Sequence, residues 1–256
     1  DGLWCGFDDV QMGAGTDGYA EASFISRDAQ DELAARSHER AATATREGRL
    51  ATELAAVSIA QRTGGPITVE TDEGIRPGTT VETLARLRPA FSPTGTITAG
   101  NASQLSDGAA AVVVMSEAKR VQLGLGSRAE IVGYGMVAGP DASLLTQPSR
   151  AINRALQLSN RTLGDIDLFE INEAFAAVAL ASTAALGIGH DVVNVNGGAI
   201  AFGHPIASSG VRLAITLVDE LHRRGGGLGA AALCGGGGQG DAALLKVTAA
   251  AQWRAM

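Results

Sequence analysis

The pattern of apolar and polar residues changes near residue 105. Residues 1–104 are mostly polar and irregular, with one clear helical segment that follows Ser26, carries Asp28 in its first turn and runs toward Gly48. Glycine and proline turn signals follow that helix, at positions 64–66, 74 and 77. This part of the chain therefore has the pattern of a loop or lid region and not of a domain with its own core.

From residue 108 onward, short apolar runs of strand length alternate with longer helical segments. The pattern predicts strands at residues 110–115, 130–137, 168–171, 192–195, 230–234 and 242–247. It predicts helices that begin at Ser149 after Pro148, cover residues 174–186, and run from Ser209 to Arg224 before Gly225. Alternating strands and helices indicate a layered α/β domain with both sheet faces covered, with all-apolar helices between sheets and the last two strands joined as a hairpin.

Composition and charge exclude several function classes. The 20 Lys plus Arg against 27 Asp plus Glu give a net charge of −7, which argues against a nucleic-acid partner. A hydrophobic content of 45% with 18% charged residues excludes a disordered chain. No apolar run reaches the length of a membrane span and no signal peptide is apparent, so we expect a cytoplasmic protein with no membrane partner. The two cysteines are far apart in sequence and predict neither a disulfide framework nor a metal site.

Four segments carry candidate chemistry. They cover residues 98–103 with Asp107-Gly108, residues 170–175, residues 196–205 and residues 234–240. The last segment is rich in glycine, but no Lys-Ser or Lys-Thr pair follows, which excludes a P-loop. Cys234 lies at the end of a predicted strand beside free backbone N–H groups, which can lower a thiol pKa and stabilise an oxyanion.

Each of these residues also has a purely structural interpretation. Cys234 alone fits a glycine-rich turn, His204 alone fits a buried turn histidine, and Asn172 alone fits a helix N-cap. Together, a cysteine, a histidine and an asparagine at strand ends suggest acyl chemistry in a shared pocket. A Cys–His hydrolase is one option on these three residues alone.

The same segments resemble the thiolase family, of the acetyl-CoA acetyltransferase type. The resemblance is carried by Asn172-Glu173-Ala174-Phe175, by residues 197–201 leading to Gly203-His204-Pro205, and by Cys234-Gly235-Gly236-Gly237. Residues 76–107 also resemble the thiolase loop region. The likeness covers nearly the whole chain and implies a layered α/β/α/β/α fold. It divides the chain into a loop region (1–104), the last strand and helix of the N-terminal half (105–126), the C-terminal half (127–248) and a tail (249–256).

The resemblance also implies roles for particular residues. In the reaction, His204 would activate the acyl-accepting cysteine, Asn172 would hold a water in the oxyanion hole, Cys234 would exchange the α-proton, and Gly236 would donate its N–H to a second oxyanion hole. The residues implied at the coenzyme A site are Ser103, Arg76, Phe175 and Met12. The implied activity is reversible condensation of acetyl-CoA units or thiolysis of 3-ketoacyl-CoA, with the thioester as substrate and no separate cofactor.

The sequence departs from the family pattern at several positions. The acyl-accepting cysteine of thiolases belongs to the N-terminal half, whereas this chain resembles the last two thirds of the family, and Cys5 does not match that nucleophile. Gln11 stands where the family often has His, and Ala207 stands where it has Gly, so its methyl group is expected to crowd a turn near the site.

These departures leave several hypotheses open. The chain is part of a catalytic thiolase, which forms a homo-oligomer or pairs with a chain that supplies the N-terminal half, or it binds acyl-CoA without catalysis. A truncated product that folds poorly alone and a related ketoacyl synthase are further alternatives.

Overall fold

The computed structural model describes residues 2–248, so the predicted tail at 249–256 lies outside the described residues. The elements before residue 125 are two short hairpins and four helices, none of them part of a larger sheet. They are β1 (Trp4–Cys5), β2 (Val10–Gln11), α1 (Met12–Ala22), α2 (Arg27–Arg46), β3 (Val57–Ile59), β4 (Ile67–Val69), α3 (Val81–Leu84) and α4 (Glu117–Gln122).

Helix α2 is the segment that the sequence predicts after Ser26. The Ser26 hydroxyl accepts a hydrogen bond from the backbone N–H of Ala29, which caps the first turn. The helix buries a stripe of small residues and packs against two helices described below, α6 and α7. It therefore brings Ser37 and His38 from the loop region to the second half of the chain.

The second half of the chain forms one four-stranded sheet with helices. Its elements are β5 (Glu130–Ala138), α5 (Gln147–Leu158), β6 (Leu168–Ile171), α6 (Ala176–Leu186), α7 (Ala199–Phe202), α8 (Ser209–Arg223), β7 (Gly227–Gly235) and β8 (Gln239–Val247). The strand order is β5-β8-β7-β6, in which only β6 and β7 are parallel. The predicted hairpin between the last two strands is confirmed.

Both faces of the sheet carry an apolar core. On one face α5 packs through Ala151, Ile152 and Ala155, and on the other α8 packs through Leu213, Leu217 and Leu221. Gly133 and Gly135 on β5 allow close contact with α5, since a methyl group on Gly135 would overlap the backbone of Ala151 and Ala155. The layered α/β prediction is thus confirmed for this half of the chain.

The predicted strand at residues 110–115 is wrong. Residues 103–115 carry no regular secondary structure, and the side chains of Val112, Val113 and Val114 are 51%, 86% and 68% exposed. A strand needs a hydrogen-bonding neighbour, and none lies beside this segment among the described residues.

The predicted strand at residues 192–195 shrinks to a single bridge. Val193 pairs with Phe169 at the β6 edge, but the next residue, Asn194, has φ 47° and turns the chain away. The Asn194 side chain then bonds the backbone of Ile171 and takes the place of a further strand pair.

Two helices also differ from the expectation. Helix α1 contains Gly13, Gly15 and Gly18, residues that disfavour a helix, and was not predicted. Helix α6, apolar almost all round, lies between helices α2 and α5 and not between two sheets. The cover is incomplete, since Ala184 and Ala185 in its last turns are exposed.

We expect Gly135→Ala to destabilise the protein by about 1–3 kcal/mol, because the new methyl group forces β5 away from the α5 backbone. Gly126→Ala is the matched control, since nothing lies within 4 Å of the added carbon there. Urea unfolding measures both variants. Equal stability of the two variants would contradict the close β5–α5 packing.

Candidate active site

Asn172 and Cys234 lie at the same edge of the sheet because two parallel strands end there. The backbone N–H of Asn172, which directly follows β6, donates to the carbonyl of Ala232 on β7 over 2.9 Å. The β6–β7 register puts Ile171 beside Ala232, so Cys234 lies at the level of Glu173. Both candidate residues are therefore fixed by the hydrogen bonds of the central strands.

His204 reaches the same edge from the turn between α7 and α8. Gly203, with φ 93°, ends α7 in a conformation that favours glycine, and His204 follows it. The His204 Nε2 atom lies 3.2 Å from Asn172 Nδ2, and its Nδ1 atom lies 2.6 Å from Ser209 Oγ in the first turn of α8. The structure thus brings together the predicted pair Asn172 and His204.

The contacts of His204 define one consistent tautomer. The Ser209 hydroxyl donates to the carbonyl of Pro205 over 3.0 Å, so its oxygen is free to accept the Nδ1–H of His204. Nε2 then carries the lone pair and accepts a hydrogen from the Asn172 amide. Burial lowers the pKa of His204 and the nearby charge of Arg212 lowers it further, so the imidazole is neutral at neutral pH. A neutral Nε2 is a proton acceptor.

Asn172 has one unused acceptor. Its side chain is fully buried, and its Oδ1 atom has no hydrogen-bond partner among the described residues. A buried amide oxygen without a partner costs free energy unless a water or a ligand group donates to it. The chemistry of this amide therefore suits a water or a bound substrate next to His204.

Cys234 is a protonated thiol in this structure. Its side chain is 8% exposed, and burial raises its pKa to about 12, although a backbone hydrogen bond at Cys234 works in the opposite direction. The sequence-based expectation was that the glycine-rich turn would lower this pKa; burial has the larger effect. A neutral buried thiol is a proton donor.

The turn after Cys234 packs closely against the start of the chain, whose side chains fill the space beside its glycines. A methyl group on Gly236 would overlap the Met12 side chain, and one on Gly237 would overlap Phe7. Gly237 and Gly238 have φ values of 76° and 71°. Met12 and Gly236, both predicted as site residues, are therefore neighbours.

Ser103 and Phe175 lie next to one another beside this edge. Ala102 and Phe175 form an antiparallel bridge, and the Ser103 N–H donates to the carbonyl of Ala174 over 3.0 Å. The Phe175 ring packs edge-on against Phe91, with centroids 6.2 Å apart. The predicted substrate residues Ser103 and Phe175 thus form one wall of the region that contains Asn172.

Arg76 lies apart from this group, on an exposed loop. Its guanidinium contacts Gln104 Oε1 at 3.3 Å, and its backbone N–H donates to His38 Nδ1 at 3.2 Å. The amide nitrogen of Gln104 donates in turn to the carbonyls of Gly74, Ile200 and Ala201. Gln104, which the sequence analysis did not single out, therefore links the Arg76 loop to helix α7.

Glu173 is a second residue that the sequence analysis missed. This buried carboxylate accepts hydrogen bonds from Ser37 Oγ (2.6 Å), Asn194 Nδ2 (2.8 Å) and the N–H of Ile200 (3.2 Å). The sequence signal that could have identified Glu173 was its acidic side chain, directly after Asn172 and at the start of an apolar helical run. Its partners come from distant segments, and no local pattern identifies them.

The two departures from the family pattern are both on the surface. Gln11 is exposed and precedes α1 without a side-chain capping bond, and Ala207 is exposed as well. The expectation that the Ala207 methyl group crowds the turn is therefore wrong, because that methyl group faces solvent.

Cys5 and Cys234 are both buried and free. Across residues 2–248 there is no group of three or more His, Cys, Asp or Glu side chains placed to hold a metal ion. No helix in this same range is long and apolar enough to cross a membrane.

Family models match both halves of the chain. The model of the thiolase N-terminal domain matches residues 1–118, and the model of the thiolase C-terminal domain matches residues 125–247. Together these two matches account for nearly all of the sequence.

Individual proteins agree with the family models. The chain is 55% identical over 246 residues to a probable acetyl-CoA acetyltransferase of Mycolicibacterium smegmatis, which covers 96% of this chain and 63% of the relative. It is 47% identical over 245 residues to an acetyl-CoA acetyltransferase of Pseudomonas aeruginosa, and this match covers 96% of this chain and 62% of the relative. The chain thus spans somewhat less than two thirds of the length of these curated relatives.

Solved structures show the same fold. The crystal structure of the Bacillus anthracis acetyl-CoA acetyltransferase matches with a TM-score of 0.92 at 40% identity, over 96% of this chain and 62% of that one. Human mitochondrial 3-ketoacyl-CoA thiolase matches with a TM-score of 0.91, also at 40% identity and the same coverage. The motifs at Asn172, His204 and Cys234, the fold and the two family models all lead to one conclusion: the chain belongs to the thiolase family.

Proposed function

We propose that this chain forms the acid–base half of an acetyl-CoA acetyltransferase, which condenses acetyl-CoA units or cleaves a 3-ketoacyl-CoA through an acyl-cysteine. The observation that carries the proposal is the buried Asn172–His204–Ser209 hydrogen-bond chain at the sheet edge that also holds Cys234. The acyl-accepting cysteine is proposed to come from the part of the thiolase fold that these 256 residues do not include. The names of the relatives favour this activity over a non-catalytic acyl-CoA-binding role.

In the proposed thiolysis, the first role belongs to His204. Its Nε2 lone pair takes the proton of the acyl-accepting thiol, and the resulting thiolate attacks the 3-keto carbon of the substrate. The imidazolium Nε2–H and the Asn172 amide then face the oxygen on which negative charge develops. The Ser209 oxygen accepts the Nδ1–H in both protonation states of the ring, which holds the ring orientation through the step.

The second role belongs to Cys234. When the C2–C3 bond breaks, its electron pair stays on C2 as the enolate of acetyl-CoA, and the Cys234 thiol donates its proton to that carbon. Coenzyme A then attacks the acyl-cysteine: its thiol proton passes to the Cys234 thiolate, the bond between the acyl carbon and the cysteine sulfur breaks, and that sulfur regains the proton held by His204 as the second acyl-CoA leaves. Burial, which holds Cys234 protonated, supports this donor role, and condensation is the same sequence in reverse. We propose that the N–H of Gly236 donates to the enolate oxygen.

We propose that coenzyme A lies along the wall formed by Ser103, Phe175 and Met12, with Arg76 toward its phosphates. Arg76 is an exposed cation on a loop that Gln104 ties to α7, so it suits the charged end of the coenzyme. The apolar Met12 and Phe175 suit the acyl and pantetheine groups. Coenzyme A enters here as part of the substrate.

The surface supports a larger assembly. Strand β5 turns Gly133 and Gly135 toward α5, so Tyr134 and Met136 point to the opposite face, where they are exposed. The exposed valines of residues 112–114 add a second apolar stretch. We propose that the remainder of the thiolase fold, from the same polypeptide or another chain, and further copies in an oligomer cover these surfaces.

We expect Cys234→Ala to lower the rate of acetoacetyl-CoA thiolysis by at least about 100-fold, because the enolate loses its proton donor. Cys5→Ala is the matched control, as Cys5 is also buried and free but lies in hairpin β1–β2. Unchanged activity of Cys234→Ala in the assembled enzyme would refute the role of this thiol.

We expect Asn172→Asp to lower kcat by about 100- to 1,000-fold with a small effect on KM, because a carboxylate repels the negative charge that develops on the substrate oxygen. Asn160→Asp, at an exposed turn, is the control for the amide-to-acid change. Steady-state kinetics and a melting curve separate loss of chemistry from loss of folding. A kcat near wild type in a folded Asn172→Asp protein would exclude Asn172 from the oxyanion site.

We expect native mass spectrometry of the protein from its own cells to give an assembly well above the 26.0 kDa of this chain, since the apolar surfaces described above need cover. The assembly should contain a second reactive cysteine that iodoacetamide modifies and acetyl-CoA protects. A stable 26.0 kDa monomer with these surfaces in solvent would contradict both the assembly and the source of the nucleophile.

A further inference from the structure

Two side-by-side sets of side-chain contacts join the end of β6 to the start of α8. Glu170 and Asn172 are two residues apart along the strand direction and therefore point to the same side. Ser209 and Arg212 are three residues apart on α8 and share one helix face. Asn172 and Ser209 both contact the His204 ring, and Glu170 contacts Arg212. The Glu170–Arg212 contact thus lies directly behind the hydrogen-bond chain of His204.

The Arg212 side chain is held in place from two sides. Its Nη1 atom lies 3.3 Å from Glu170 Oε2, and its guanidinium carbon lies 5.7 Å from the centre of the Phe202 ring, two residues before His204. Its Nη2 atom is buried without a hydrogen-bond partner among the described residues. An arginine placed this way costs desolvation free energy that no complete set of partners offsets, which indicates a role other than stability.

The carboxyl groups around Arg212 do not cancel its charge. Those that interact with Arg212 or with Glu170 are Glu53 and Asp72 from the loop region and Glu170 and Glu173 from the end of β6. Burial raises the pKa of Glu170 to about 8 and that of Glu53 to about 7, and it also raises the pKa of Asp72. Near neutral pH Glu170 is therefore largely protonated and Glu53 partly so, and neither fully offsets the positive charge of the guanidinium.

We propose that Arg212 is a positioning residue that acts through His204: its fixed positive charge adds to the effect of burial in disfavouring the imidazolium, so that Nε2 keeps its lone pair until the thiol proton arrives. This inference rests on the proposed function, in which His204 activates the acyl-accepting thiol. Once His204 is protonated, the same charge makes its Nε2–H a stronger donor toward the thioester oxygen and helps return the proton. Glu170 and Phe202 hold the Arg212 guanidinium in place, so that its positive charge acts on the His204 imidazole.

The test separates the charge of Arg212 from its contact with Glu170. Arg212→Lys keeps the charge, whereas Arg212→Gln keeps a hydrogen-bond donor for Glu170 and removes the charge. In Arg212→Gln the Glu170 carboxyl stays protonated near neutral pH, because burial already raises its pKa to about 8, and no unpaired charge is left buried. Arg120→Gln is the control, since Arg120 forms an exposed pair with Glu117 on α4.

Two measurements read the result in the assembled protein. The first is the titration of the His204 ring, followed by NMR of ¹³C-labelled histidine and assigned by comparison with His204→Gln. The second is the acid limb of kcat/KM for thiolysis. Loss of a neighbouring cation stabilises the imidazolium, so we expect both midpoints in Arg212→Gln to move to higher pH than in the wild type. Arg212→Lys and Arg120→Gln should titrate like the wild type.

An unchanged His204 midpoint in folded Arg212→Gln would overturn the proposal, and so would an equal shift in Arg212→Lys, which would assign the effect to geometry and not to charge. The NMR titration does not require turnover. If the wild-type assembly cleaves no acetoacetyl-CoA, the His204 titration still decides the role of Arg212, and the failure belongs to the proposed function alone.

Discussion

The buried carboxylate of Glu173 is the interaction on which the arrangement of the site depends. A carboxylate 3% exposed is stable only when hydrogen-bond donors replace its water, and here the donors come from α2, from the Asn194 turn and from the start of α7. The Ser37 oxygen also accepts the N–H of Gly198. Three distant segments therefore meet at Glu173, the residue that follows Asn172. These contacts fix the position of α7 and, with it, the position of His204 just after α7.

Burial also separates the two proton-transfer groups. The same loss of water raises the pKa of the Cys234 thiol and lowers that of the His204 imidazole. At neutral pH the thiol consequently holds its proton while the imidazole lacks one, and the site contains an acid and a base together. No strong ion pair to either group is needed for this division, since desolvation acts in opposite directions on an acid and on a base.

Much of this fold follows from local patterns. The capped helix α2, the apolar runs of β6 and β8 and the hairpin between β7 and β8 depend on residues close in sequence, and all were predicted. The segment at 110–115 has the same apolar composition as a strand, but a strand exists only beside a partner. The Asn194 turn depends on a side chain that bonds Ile171, a residue 23 positions away, which no periodicity reveals.

In the site too, some residues are identified by local motifs and others only by contacts between distant segments. Asn172, His204 and Cys234 are recognisable because their motifs are local, whereas Ser209, Arg212, Gln104 and Glu173 acquire meaning only from contacts across the fold. The pKa of Cys234 was misjudged for a related reason. The glycine-rich turn is visible in the sequence, but the packing that buries the thiol is contributed by α1 and α6.

The place of Cys234 on β7 has a consequence for how the site opens. Strand β7 is paired with β8 along its whole length and with β6 as far as Ala232, so amide exchange at Cys234 requires the β7–β8 pairing to open. Phe7 and Met12, which lie against the glycines after Cys234, belong to a two-residue-per-strand hairpin and the first turn of α1. This cover has few sheet hydrogen bonds of its own, so local opening under native conditions begins at the hairpin and not at β7.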